Sequence, residues 1–150
     1  MPLSKEQEKV ISQGIAILTS VYQREDLMAT NPSQVKAFCQ LQLAALEHEV
    51  FGVLFLDSQH RLMVFSEMFR GTIDGASVYP REVAKAALQI NAAAAIFTHN
   101  HPSGIPEPSQ ADIRITERLI EALNLLDIRV LDHIVVAGDQ AVSFAERGLL

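Results

Sequence analysis

Apolar residues recur along this chain with two different periods, and the order in which those periods alternate predicts its architecture. Val10, Ile11, Gly14, Ile17, Leu18 and Val21 fall near helical spacing behind a Ser4–Gln7 capping box, which predicts a first helix over about 4–22. Asn31-Pro32 offers an N-cap and a proline at the first helical position, opening a second helix to about Glu47. At Val50 the character changes. VFGVLFL is a continuous apolar run of strand length, and DSQH turns the chain into RLMVFSEMF, predicting a hairpin. GTIDGASV reads as a loop with short extended pieces. Pro80 starts a third helix to about Asn91, with Val83, Ala87, Leu88 and Ile90 on its apolar side. AAAAIF is then a buried strand, Ser109 opens a helix to about Leu125, and RVLDHIVV and AVSF close the fold across the turn AGDQ. The order αα-ββ-α-β-α-ββ predicts an α/β fold, a mixed β-sheet flanked by helices. REDLMAT is the one stretch suited to a boundary, dividing an N-terminal helical accessory segment, 1–29, from a domain over 30–150.

Composition narrows the class. With 150 residues, 49% of them apolar, the chain is long enough to bury a core of its own. Its single cysteine, Cys39, excludes an internal disulfide and a thiolate-built zinc site, and beside Phe38 and Leu41 it reads as a packed small hydrophobe. No run approaches the length of a membrane span, and MPLSKEQEKV is too polar for a secretory signal, so a cytoplasmic protein with no membrane partner is expected. Acids exceed bases 18 to 12, for a net charge of −6, which argues against a face built to hold duplex DNA.

The candidate chemistry lies in THNHPSGIPEPSQAD, residues 98–112. Residues i and i+2 of a strand share a face, so His99 and His101 at the end of AAAAIF project side by side, a spacing suited to two imidazoles on one metal ion. Asn100 points the other way and is available to orient the loop. The prolines and glycine of PSGIPEP stiffen the connection to Ser109, the N-cap of the next helix, and Asp112, its N3 residue. Ser-x-x-Asp ahead of an apolar helix is also an ordinary capping arrangement. Its conjunction with two same-face histidines is what points to a His-His-Asp set with an open fourth position, the pattern of catalytic zinc.

Glu49, an apolar strand, His99-x-His101, seven residues and Ser109-x-x-Asp112 resemble the JAMM pattern of the JAB/MPN metalloprotease-like domains. EVFGVLFLD, FRGTIDGASVYPREV, NAAAAIFTHNHPSG, PEPSQADIRITERL and LDHIVV are similar to the blocks of their RadC-like branch, from about residue 30 to the C-terminus. The resemblance implies a cytidine-deaminase-like sheet architecture, one Zn2+ per chain on His99, His101 and Asp112, Glu49 as general base toward the attacking water, and Ser109 as a donor to the developing oxyanion. From the residues alone Glu47, Glu67 and Glu82 compete with Glu49; the family's placement of the acid before the first core strand selects it.

The implied function is a zinc-dependent hydrolase that cleaves peptide or isopeptide bonds of a protein or peptide substrate. The alternative is a non-catalytic interaction module, linked to DNA repair or mobile elements, that retains the zinc site. Longer RadC-like proteins carry an N-terminal helix-hairpin-helix segment, whereas the first 30 residues here are too short for one, which argues against direct DNA binding. His99-Asn100-His101 matches HNH nucleases only in letters, and the zinc deaminases need an H-x-E and a P-C-x-x-C that are not here. His48 and His60 read as exposed side chains, Asp132-His133 as a hydrogen-bonded structural pair in a buried strand, and Arg70 and Arg81 as either groove-lining or surface-paired. The amphipathic first helix is expected to cover its own domain or to pair with a second copy in a homodimer.

Overall fold

In a computed structural model, residues 2–24, 31–71 and 77–150 are described, with the side chains of 21–24 left aside. The boundary expected within REDLMAT and the centre of the GTIDGASV loop lie outside the described residues, as does the Val21 side chain. Among the described residues, four helices and five strands follow in the expected order: α1 (Lys5–Arg24), α2 (Pro32–Leu43), β1 (Val50–Leu56), β2 (Leu62–Arg70), α3 (Pro80–Gln89), β3 (Ala94–Asn100), α4 (Gln110–Asn124), β4 (Arg129–Ala137) and β5 (Gln140–Ser143).

The strands form one mixed sheet in the order β2-β1-β3-β4-β5. Only β3 and β4 run parallel, because α4 carries the chain back across the sheet between them; the other neighbours are antiparallel. β1 and β3 lie inside the sheet and are buried along their whole length, which is why VFGVLFL shows no alternation. Gly52 of β1 is required by close packing, since a Cβ there would stand 2.7 Å from the Phe65 ring of β2.

Two cores result. On one face Val35, Phe38, Cys39 and Leu43 of α2, with Leu18 of α1, pack on Leu54, Ile96 and Ile134. On the other, Val83 and Ala87 of α3 and Leu119 and Leu123 of α4 pack on Val53, Phe55, Ala95 and Phe97. Each fully buried Phe or Leu side chain contributes roughly 1.5–3 kcal/mol. Cys39 has no exposed surface, and burial pushes its thiol up to about 12, so it stays protonated and packed.

Two boundaries and one apolar stripe depart from the periodic reading. α2 stops at Leu43 rather than near Glu47, because Asn100 draws in the following segment by donating to the carbonyls of His48 (3.0 Å) and Leu46 (3.5 Å). β3 begins at Ala94, not Ala92, and continues through Asn100. Asn91 takes a left-handed conformation (φ 56°) and Ala92 N–H returns to Ala87 O at 2.9 Å, an α-helix stop that uses up the first two residues of the expected strand. Finally, the apolar stripe of α1 is only half used: Ile11, Gly14 and Leu18 are partly buried, whereas Val10 and Ile17 are more than 60% exposed. Leu88 of α3 is exposed in the same way.

Candidate metal centre

β3 supplies the floor of the site. Its odd residues Ala95, Phe97 and His99 face α3 and α4, and its even residues Ile96, Thr98 and Asn100 turn from them. His99 is 1% exposed, paired with Phe51 of β1 and lying parallel to its ring at 6.2 Å. His101 adds a further rung to the sheet by donating its N–H to Val136 O (2.7 Å), so its side chain follows His99 on the same face. The chain then turns on Gly104 (φ 83°), whose N–H returns to His101 O at 3.0 Å. Pro108 is buried, and Ser109 caps α4 in a full capping box: Ser109 Oγ accepts from Asp112 N (3.0 Å), and Asp112 Oδ2 accepts from Ser109 N (2.8 Å). The capping interpretation of Ser-x-x-Asp is therefore realised, and it does not exclude a ligand role for Asp112. The cap is what holds the Asp112 carboxylate back toward β3.

There Asp112 Oδ2 lies 3.0 Å from His101 Nε2 and 3.3 Å from His99 Nε2, and the two Nε2 atoms are 2.9 Å apart. Burial opposes the Asp112 charge, but contacts with His101 and His99 outweigh it and hold the carboxyl well below the usual carboxylate range. The His101 pKa is raised, chiefly by its hydrogen bond to Asp112. Its Nδ1 lies 2.8 Å from the carbonyl of Ile105, which can only accept, so Nδ1 carries a proton and Nε2 of the neutral ring is a lone pair directed at the cluster. The point between the three atoms favours a cation. Zinc bonds of about 2.0–2.1 Å at tetrahedral angles separate neighbouring ligand atoms by roughly 3.3 Å, close to the spacings found. The donor set fits a metal ion.

A cleft of about 570 Å³ opens over this point, with Glu49, Phe51, Val78, Ile105, Glu107 and Ser109 among its walls. Glu49 is half-buried, and its pKa is raised by burial, with His99 pulling it back down. It reaches the cleft because Asn100 Oδ1 accepts from Val50 N (2.8 Å) and Gly71 N donates to Glu49 O (2.8 Å), pinning the entry to β1 from both sides. Glu47, Glu67 and Glu82 do not line the cleft, nor do Arg70 and Arg81. His48 sits 3.5 Å from Arg70 and His60 2.8 Å from Arg129, both partly buried and outside the cluster.

Asp132 and His133 prove to be separate. Asp132 accepts from Ser143 Oγ (2.5 Å), its neighbour's N–H and Ala145 N, bracing the end of β5, whereas the His133 ring points to the opposite face and meets His99 at 2.7 Å. The structural pairing expected of them is limited to one backbone contact. His133 is the site residue that the sequence reading missed; strand parity relative to Asp132 was its only local signal.

Residues 29–149 match the RadC-like JAB domain family. A UPF0758 protein of Vibrio cholerae is 58% identical over 144 residues, 96% of this chain and 90% of its own length. A UPF0758 protein of Methylibium petroleiphilum is 65% identical over 120 residues, 80% of this chain and 54% of its own. One of Cellvibrio japonicus is 62% identical over 123 residues, 82% of this chain and 55% of its own. The chain thus spans about half the length of the last two relatives.

Proposed function

We propose that this chain, which belongs to the RadC-like JAB domain family, is a zinc-dependent hydrolase acting on peptide or isopeptide bonds. The observation that carries the reading is the convergence of His99 Nε2, His101 Nε2 and Asp112 Oδ2 at the floor of a cleft into which Glu49 also opens. Those three side chains would hold the ion. When bound, zinc supplies a Lewis acid that polarises a carbonyl and acidifies a water. Glu49, half-buried and with its proton affinity raised, is suited to take the proton of the attacking water as the new C–O bond forms. The same carboxyl returns that proton to the amide nitrogen as the C–N bond breaks. Ser109 Oγ accepts from Asp112 N, leaving its own proton available to the carbonyl oxygen on which charge develops.

The lining also supports an amide over a phosphodiester. Among the described residues around the cleft none is Lys or Arg, and, with Glu107 paired to Arg147, Glu49 and Asp112 are the carboxylates that an anionic backbone would meet as like charge.

The test begins with elemental mass spectrometry of protein purified without chelator or metal-affinity tag. About one zinc per chain supports the reading; iron in its place would redirect it, because two histidines and a carboxylate also serve non-haem iron. With zinc in place, Glu49→Gln should keep the metal and lose about 10²–10⁴-fold in amide hydrolysis. Full activity in that variant would remove Glu49 as the base, and a metal-free native chain would favour a non-catalytic interaction module.

A further inference from the structure

His133 is fully buried in β4, edge-on to Phe51 and Phe97 and stacked on Phe144 with ring centres 4.6 Å apart. It is not a member of the ligand cluster, yet both its nitrogens are engaged: Nε2 is 2.7 Å from His99 Nδ1, and Nδ1 is 2.6 Å from Thr116 Oγ1. Proton bookkeeping through these contacts has one solution. The main-chain carbonyl of Asp112 can only accept, so Thr116, 2.6 Å away, uses its single hydroxyl proton there. Thr116 Oγ1 must then accept from His133 Nδ1–H. His133 is enclosed by the rings of Phe51, Phe97 and Phe144, and among the described residues its nitrogens meet His99 and Thr116 rather than a carboxylate, so the ring carries a single proton; that proton sits on Nδ1 and Nε2 accepts. His99 therefore donates Nδ1–H and keeps a bare Nε2 facing Asp112 and His101.

We propose that His133 and Thr116 are positioning residues that lock the tautomer of His99, through a hydrogen-bond chain running from its Nδ1 to the backbone of the helical turn that carries Asp112. The chain does two jobs. It presents His99 Nε2 as a ready metal donor, and it ties two ligands on different elements, β3 and α4, into one frame. Outer partners of this kind commonly change metal affinity by about 10–100-fold. The inference rests on the metal reading above, but the lock itself exists in the metal-free chain and is measured there.

The test uses the full chain, 15N-labelled, metal-free and held at about pH 8.5, two units above the ordinary imidazole value, with histidine tautomers read by two-bond 1H–15N correlation NMR. His99 should show a protonated Nδ1 and a bare Nε2. His133→Phe keeps a ring among Phe51, Phe97 and Phe144 but removes the acceptor, so that signature should be lost and zinc affinity should fall about 10–100-fold. His133→Gln places an amide oxygen within reach of His99 Nδ1 and should recover much of the affinity. Thr116→Val, nearly isosteric, frees His133 to switch its proton and should weaken zinc by up to about tenfold. A purely structural His133 predicts the reverse ranking, with the phenylalanine variant matching the native protein and the glutamine variant worse. That ranking, or an unchanged His99 tautomer in both His133→Phe and Thr116→Val, would overturn the lock. Should His133→Phe fail to fold, the tautomer in Thr116→Val decides alone. A native chain that shows the tautomer but binds no zinc would sink the metal reading and leave the lock standing.

Discussion

The two faces of β3 are built from alternate residues of one heptapeptide, and they end differently. Toward α2, the series Ala94, Ile96, Thr98, Asn100 meets Val35, Phe38, Cys39 and Leu43 and finishes in an amide that ties down the backbone around His48 and Val50. Toward α4, the series Ala95, Phe97, His99 begins in an equally apolar core and finishes in imidazoles whose free nitrogens point at one another and at a carboxylate. Asn100 has each polar group answered by the protein. The Nε2 atoms of His99 and His101 meet each other and the Asp112 carboxylate around a point that could hold a cation. A satisfied polar end is a brace; an end with converging acceptors is a binding site.

That contrast can be broken most sharply by one truncation on each face. His101→Ala should reduce metal affinity by more than about 100-fold, beyond the usual effect of an outer partner, while leaving metal-free stability within about 1 kcal/mol because the side chain is only partly buried. Ile96→Ala, one position from Phe97 but on the opposite face, should do the reverse, costing about 2–5 kcal/mol in denaturant unfolding with little change in metal binding. A parallel loss of both properties in either variant would mean that the faces are energetically one unit.

Asn100→Ala probes the connection between them. It leaves the Val50 N–H buried without its partner, costing about 1–3 kcal/mol, and releases the segment that aims Glu49. Turnover should fall while zinc content, measured on the same sample, stays near native. Ser109 sharpens the capping question: Ser109→Ala should lower the melting temperature through a loss of about 0.5–2 kcal/mol. Ser109→Asn restores a cap without the hydroxyl and should regain stability but not amide hydrolysis; recovery of both would reduce Ser109 to a cap. Smallest is the stiffness of the loop. Pro106→Gly with Pro108→Gly should weaken zinc by no more than about 30-fold, since each loses roughly 0.4–1 kcal/mol of restraint on the chain and only part of that reaches the site; unchanged zinc affinity would show that the capping box, not the prolines, positions Asp112.

Much of this architecture is written locally. Apolar runs and caps place the nine elements of the described residues in order, because VFGVLFL has no polar side to expose and Asn31-Pro32 and Ser109 can each start only one kind of element. Spacing alone sets His99 and His101 on one face, since strand period is a covalent property of the chain. Position along the chain did not decide where long-range partners intervene. Asn100 holds the segment after α2 through contacts 52 and 54 residues upstream of itself, and α1 keeps Val10 and Ile17 exposed although their spacing matches that of their partly buried neighbours.

The sequence by itself determined the order of elements, the mixed α/β class and the residue types able to hold a metal, all consequences of short-range period and capping chemistry. Only the tertiary structure decided which glutamate enters the cleft, that Asp132 and His133 serve opposite faces, and that His133 and Thr116 stand behind His99. Those choices depend on strand register and on the crossover of α4, which bring together atoms that the chain keeps 17 to 34 residues apart and which no local pattern encodes.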